Sequence, residues 1–326
     1  MAILVGIDEA GYGPHLGPLV VATAAGEFPG DAVPDPDLWG ALGGHVRKRP
    51  SGRSSRVVIC DSKVAYSGRN VAILERAVLG FLAAMDSRPS SLAELLAMTA
   101  VGSAADAAGS TAPRPWDSPL GLALPTATEA EEIRTAADHL ASGLAGLGAS
   151  AAGLRLNVAS PLRFNRLVQT TRNKAAALFA LTADLLAEVQ TRWPHEAVHV
   201  TMDRHGGRRY YAGLLAAAFP MTGVETLEEA RAVSRYCLHR DGSAAPVHLT
   251  IRNRCETWSL LTALASMAAK YVRELHMRQL NGYFQSLVPG LAPTAGYGRD
   301  AWRFLDDVAA AREAACVPDA AILRCR

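Results

Sequence analysis

The sequence predicts an α/β layered domain, and three observations lead there. Two apolar runs, Ile3–Ile7 and Leu19–Ala25, open the chain as buried strands around a glycine- and proline-rich turn. From Leu154 onward, short alternating strands give way repeatedly to longer stretches at helical spacing, the order expected of strands and helices in separate layers. The 326 residues are 49% hydrophobic and 20% charged, enough to build a sizeable core. At roughly 150 residues per domain, that length suggests two domains or one domain with insertions.

The first strand ends in Asp8-Glu9, and Gly11, Gly13, Pro14, Gly17 and Pro18 follow before the chain returns. Adjacent side chains on a regular strand point to opposite faces, so the two acids share one site only if the backbone bends between them. Past a Pro/Gly-rich loop over 29–44 lies a basic patch: His45, Arg47, Lys48, Arg49, Arg53 and Arg56. It is a solvated surface or a phosphate contact. Arg56–Cys60 reads as a short strand ending in Asp61-Ser62-Lys63, with a helix over 69–85.

Residues 86–151 are rich in Ala, Ser, Gly and Pro and read as an insertion, a lid or an interaction surface. It carries weak helices over 92–99 and 130–147 and an irregular loop over 111–119. Leu154–Val158 alternates as a strand. Ser160-Pro161 then starts a helix with a serine cap and proline at its first position, running to about Gln190. Ala197–Met202 is a strand with Asp203 at its end, followed by a basic glycine turn (Arg204 to Arg209) and a helix over 210–219. Ala232–His239 and Val247–Arg252 suggest a hairpin around Asp241-Gly242. A helical C-terminal part, 257–326, opens with a long helix to Leu287. A Gly296-Tyr297-Gly298 turn and a helix over 300–311 close it.

The net charge of +2 neither demands nor excludes a nucleic-acid partner. Five cysteines without metal-finger spacing read as reduced thiols in a cytoplasmic protein. No apolar run approaches the roughly 20 residues needed to cross a bilayer. A carboxylate pair beside a close-approach glycine loop suggests a divalent cation next to a phosphate.

Five stretches, in this order, resemble the type 2 ribonuclease H family. They are Gly6-Ile7-Asp8-Glu9-Ala10-Gly11-Tyr12-Gly13-Pro14 with Gly17-Pro18-Leu19-Val20, then Asp61-Ser62-Lys63, and Asp203 after its apolar strand. The alanine–serine helix from Ala265 to Met277 and Gly296-Tyr297-Gly298 complete the set. The resemblance implies a ribonuclease H-like fold, with a central mixed β-sheet flanked by helices, in a single catalytic domain over 1–326. It implies a two-metal endonuclease using Mg2+ or Mn2+ that hydrolyses the RNA strand of RNA/DNA hybrids or ribonucleotides embedded in duplex DNA. The products would carry 3′-hydroxyl and 5′-phosphate ends.

By the same resemblance, Asp8, Glu9, Asp203 and Glu274 are the metal-holding catalytic acids. Gly11, Tyr12, Gly13, Ser62, Lys63 and Tyr297 are the nucleic-acid-binding positions. Glu274 stands where the family has aspartate, and with Lys270 it also makes an i, i+4 helix-face ion pair. Tyr12 stands where the family has arginine, which turns the substrate question onto that residue. The same machinery acting on another structured nucleic acid, and an inactive nucleic-acid-binding relative, are the competing readings.

Overall fold

The computed structural model describes residues 1–30, 37–50, 54–102, 114–117, 122–240, 242 and 245–325. Arg53, most of the 111–119 loop and Asp241 lie outside the described residues. The first half of the chain comprises β1 (Ala2–Ala10), β2 (Leu19–Phe28), α1 (Leu38–Ala41), β3 (Val46–Arg47), β4 (Val57–Val58), α2 (Ser62–Ala65), α3 (Ala72–Ala83), α4 (Leu92–Thr99), α5 (Ala130–Gly146) and β5 (Ser150–Ala159). The second half comprises α6 (Pro161–Thr171), α7 (Lys174–Arg192), β6 (Ala197–Asp203), α8 (Ala212–Ala218), β7 (Thr222–Glu229), β8 (Val233–Arg240), β9 (Val247–Arg252), α9 (Leu260–Leu287), α10 (Gly298–Asp307), α11 (Ala309–Ala314) and α12 (Asp319–Ile322).

Seven strands form one mixed sheet in the order β5-β2-β1-β6-β9-β8-β7. β1 pairs antiparallel with β2 and parallel with β6, and β6 pairs parallel with β9. The central strand is apolar on both faces because both are covered. Ile3, Val5 and Ile7 join a core with α6, α7 and α8, while Leu4 joins the core of α3, α5 and α9. The fold is thus the expected central mixed sheet flanked by helices. β3 and β4, where one strand over 56–60 was expected, make a separate two-stranded parallel pair. Lys48 lies over the Trp39 ring at 4.2 Å and donates to the Thr257 carbonyl, and Arg56 donates to the Gly43 carbonyl at 2.9 Å, so these two cations of the basic patch are engaged by the protein itself.

Two expectations need correction, and one strand is added. The backbone does not bend between Asp8 and Glu9: pairing with β2 is unbroken from Ala2↔Phe28 to Ala10↔Val20, and the chain turns only at Gly11, φ +94°. The single helix over 162–190 is two, because Arg172 takes a left-handed conformation and Asn173 caps a new start by accepting from Ala175 and Ala176. A strand the sequence reading left out, β7, completes the edge of the sheet. Its hydrophobic alternation is weak because the strand is largely exposed.

The helices within 86–151 belong to the body of the fold. α5 buries Ala136, Leu140 and Leu144 in the core shared with α3 and α9, and Ala100 bridges to Leu156 of β5. Among the described residues no helix is long and apolar enough to cross a membrane.

Candidate active site

The site forms where β1, β6 and β9 end side by side. Close packing starts at Gly6. A Cβ there would lie 2.0 Å from the Thr262 backbone nitrogen and 2.1 Å from the Leu261 carbonyl carbon, so strand and helix meet backbone to backbone. That contact lays the first turns of α9 over the strand end and brings the Ser266 hydroxyl to Asp8. Ser266 Oγ is also hydrogen-bonded to Ser62 Oγ at 3.0 Å, which ties the Asp61-Ser62-Lys63 stretch to the same place.

Asp8 lies on the α9 face of the sheet with Leu4 and Gly6, and Glu9 on the opposite face with Ile7. Both reach the strand end, where the Glu9 amide donates to Asp8 Oδ1 at 2.7 Å. The β1/β6 register, Ile7↔Met202, puts Asp203 beside Asp8 on the neighbouring strand. Asp203 Oδ1 accepts from the Cys255 amide at 2.8 Å, in the short turn Cys255–Thr257 that follows β9. That turn carries Glu256, which is buried.

Electrostatics identifies these carboxylates as one group. Burial, then Glu9 and Asp203, raises Asp8 well above the usual carboxylate range. Burial, Asp203 and Glu256 push Glu9 up to about 8, with Lys63 opposing them. Asp203 is raised by burial against the pull of backbone amides, and Glu256 by burial, Asp203 and Asp61. Buried like charges are costly unless a cation is among them. Lys63 provides one positive charge; its Nζ offers donors but no acceptor.

Glu274, expected among the acids, is held by two cations and a hydroxyl. It lies eight residues beyond Ser266 on α9, roughly 12 Å along the axis at about 1.5 Å per residue. Its carboxylate accepts from Tyr66 Oη (2.7 Å), Lys270 Nζ (2.7 Å) and Arg273 Nη1 (3.0 Å). Burial alone would raise its pKa, but Lys270, Arg273 and these hydrogen bonds outweigh burial and hold it below the ordinary value. The carboxylate is already neutralised, so the helix ion pair is the role its surroundings support. Glu256 is the acid that the sequence reading missed. The rule that selected Asp203, a carboxylate directly at the end of an apolar strand, does not reach Glu256, which stands four residues past Arg252.

The glycine loop and the Gly296-Tyr297-Gly298 turn, far apart in sequence, meet. His15 and Leu16 amides donate to the Gly296 carbonyl at 2.7 and 3.2 Å. Arg273, fully buried, donates to Ala295 O at 3.0 Å and stacks its guanidinium 5.5 Å from the centre of the Tyr297 ring. Tyr297 itself is 45% exposed and lines the loop beside Gly13. On the other side of the acids, Tyr12 receives the Lys174 ammonium 4.9 Å from its ring centre. Tyr12, Asn173, Gly206, Gly207, Arg208 and Arg209 line an open cleft of about 590 Å³.

Two residues of the basic turn play structural parts. Arg204 is buried and donates to the Arg231 carbonyl at 2.8 Å. His205 is buried against Phe179 and Tyr211 and is pushed down to about 3 by burial and Arg208, which keeps it neutral. His15 packs its ring against Trp302.

No protein-family model and no curated protein sequence matches the chain. Among solved structures it is similar to the RNase HII of Archaeoglobus fulgidus, determined as a complex with PCNA: 15% identity, TM-score 0.42, 99% of this chain and 94% of that one. It is also similar to Bst-RNase HIII in complex with Mn2+ (14%, TM-score 0.40, 99% and 66%) and to the ribonuclease H2 of Pyrococcus horikoshii OT3 (12%, TM-score 0.38, 98% and 92%). In its motifs and in its central mixed sheet flanked by helices, the chain resembles a divergent type 2 ribonuclease H.

Proposed function

We propose that this protein is a divalent-metal-dependent endonuclease that cuts the RNA strand of RNA/DNA hybrids or ribonucleotides embedded in duplex DNA, leaving 3′-hydroxyl and 5′-phosphate ends. The observation that carries the reading is the set Asp8, Glu9, Asp203 and Glu256. Four carboxylates gather at three strand ends, each raised by burial and all but Asp203 also by a neighbouring carboxylate, beside a cleft lined with Arg208 and Arg209.

The donor set fits magnesium or manganese. It is all oxygen, and hard cations that keep several waters need only a few carboxylates. Among the described residues no three of these acids bring carboxylate oxygens within 4.8 Å of one another, a spread that a pair of ions roughly 3.5–4 Å apart spans better than a single tight cage. Ions held there would activate a water and offset charge on the leaving oxygen.

The remaining steps belong to the chain's own side chains. Arg208, Arg209 and Lys174 attract the polyanion into the cleft. Gly11, at φ +94°, makes the turn and lets Pro18 and Arg273 pack where a side chain would stand, while the exposed Gly13 leaves the loop open to a close-lying sugar and Tyr297 offers an exposed ring on which the sugar or base next to the scissile bond stacks. Lys63, beside Glu9 and Asp203, is placed to meet the scissile phosphate.

The test compares a duplex with a single ribonucleotide, a continuous hybrid and an all-DNA duplex, each with Mg2+ and Mn2+. Cutting of either ribonucleotide-containing duplex, lost in Asp8→Asn and Asp203→Asn, is the expected result; cleavage surviving both substitutions would sink the assignment. Tyr12 motivates one alternative. With its ring occupied by Lys174, the loop lacks a free cation, and cutting of the all-DNA duplex alone would favour the same chemistry on a structured DNA.

A further inference from the structure

A second group of metal-binding side chains lies away from the acidic cluster, on the hairpin at the sheet edge. β7 pairs with β8 so that Glu225 stands directly opposite Cys237, and His239 is two residues along β8 on the same face. Their donor atoms, a carboxylate oxygen, a thiol sulfur and an imidazole nitrogen, all lie within 4.8 Å of one another. His239 Nε2 and Glu225 Oε2 are 2.9 Å apart. Cys237 is buried while the other two are exposed, so the sulfur forms the floor of the group and the other donors its rim.

Local structure holds this arrangement. The pairing of β7 with β8 shifts register between Thr226 and Glu228, immediately after Glu225. Such a bulge twists the strand and re-aims neighbouring side chains. On the other side, Cys237 stands opposite His248 of β9, whose ring stacks on His199 of β6 at 5.0 Å. A row of Glu, Cys, His and His therefore crosses four strands on one face, while their apolar neighbours Tyr236, Leu238, Val247 and Leu249 fill the core behind.

We propose that Glu225, Cys237 and His239 bind a borderline divalent cation, Zn2+ or a similar first-row ion, with the fourth position open to water. One sulfur, one nitrogen and one oxygen are a donor set that tetrahedral Zn2+ accepts, at metal–ligand lengths of about 2.0–2.3 Å. The 4.8 Å limit on donor separation leaves only a small side-chain adjustment to reach them. Thiolate and imidazole disfavour Mg2+, which separates this site from the acidic cluster. Binding displaces the thiol proton to solvent and links the two strands through their side chains.

Cobalt tests the site without reference to any activity. Co2+ added to the full-length metal-free protein is expected to give a near-ultraviolet thiolate-to-cobalt absorption band that one equivalent of Zn2+ abolishes and excess Mg2+ leaves in place. Cys237→Ser removes the band, and Cys316→Ser and Asp203→Asn retain it. His239→Ala and Glu225→Gln, which keep the thiol, weaken cobalt binding at least about tenfold and serve if the serine variant does not fold. Absence of the band in the native chain, or a band that persists in Cys237→Ser or is unweakened in both rim variants, would overturn the proposal and leave a surface His–Glu ion pair.

Discussion

The two glutamates, Glu256 and Glu274, provide the sharpest test of the site, because the structure gives them opposite surroundings. Glu274 accepts from Tyr66, Lys270 and Arg273, and Arg273 is wholly buried. Glu274→Gln keeps the shape but strips the charge, leaving a buried guanidinium without its carboxylate. Removing one partner of a buried pair costs about 3–5 kcal/mol. With an unfolding entropy of about 2.1 cal/mol/K per residue, 326 residues give roughly 0.7 kcal/mol/K, so Tm falls by about 4–7 °C. Glu256 instead sits among carboxylates that raise it. Glu256→Gln relieves repulsion, so the metal-free protein holds or gains stability. Its loss from a metal-dependent reaction, at about 3 kcal/mol of transition-state stabilisation, slows cleavage roughly 100-fold. The assay pairs differential scanning calorimetry without metal with single-turnover cleavage of a ribonucleotide-containing duplex, below the Tm of each variant. If Glu274→Gln lost cleavage at an unchanged Tm while Glu256→Gln kept it, the acids would have been assigned the wrong way round.

Three more outcomes follow from the same geometry. Mn2+ at 100 times its Kd should stabilise the protein by about 2.7 kcal/mol, near 4 °C on the same scale; Asp8→Asn should abolish that shift and raise the metal-free Tm, and an unaltered manganese shift in the variant would remove Asp8 from the site. Gly6→Ala drives a methyl into the Leu261–Thr262 backbone and should cost more than about 3 kcal/mol, so a soluble variant with native Tm would contradict the close packing of β1 on α9. His276, partly buried near Arg114 and Asp117, has its pKa held down by burial and stays neutral in the fold. The unfolded chain takes up that proton near pH 6.5 and the native one only at lower pH. Stability is therefore full above 6.5 and falls as pH drops, by no more than about 1.4 kcal/mol per unit from this group. Denaturant titrations of His276→Asn should show a flatter decline between pH 6.5 and 5, and an identical slope would show that the histidine titrates normally.

Much of the molecule is legible from local pattern alone. Periodicity locates β1, β2, α4, α5, β6, β9 and α9 to within a few residues, because each buries a face whose spacing repeats along the chain. Asp8, Glu9 and Asp203 are legible because an acid directly after an apolar strand breaks the pattern visibly. β7 is not, since an exposed edge strand has no buried face to impose alternation. Nor is the break at Arg172-Asn173, which depends on one left-handed residue and one side-chain cap.

Which acids share a site is a different kind of fact. Glu274 lies in a stretch that resembles a known motif, and from the chain alone both its metal role and its pairing with Lys270 remain open. Only the packing of α9 on β1, set by the missing side chain at Gly6, decides that Ser266 faces Asp8 and that Glu274 falls two turns beyond it. Only the parallel pairing of β6 with β9 brings Glu256 next to Asp203. By itself the sequence determined the layers and most of the chemistry-bearing strand ends, because burial periodicity and strand-end acids are local. The tertiary structure decided which charges meet, because charges meet across strands and helices distant in sequence and their energies depend on distance and burial rather than on order along the chain.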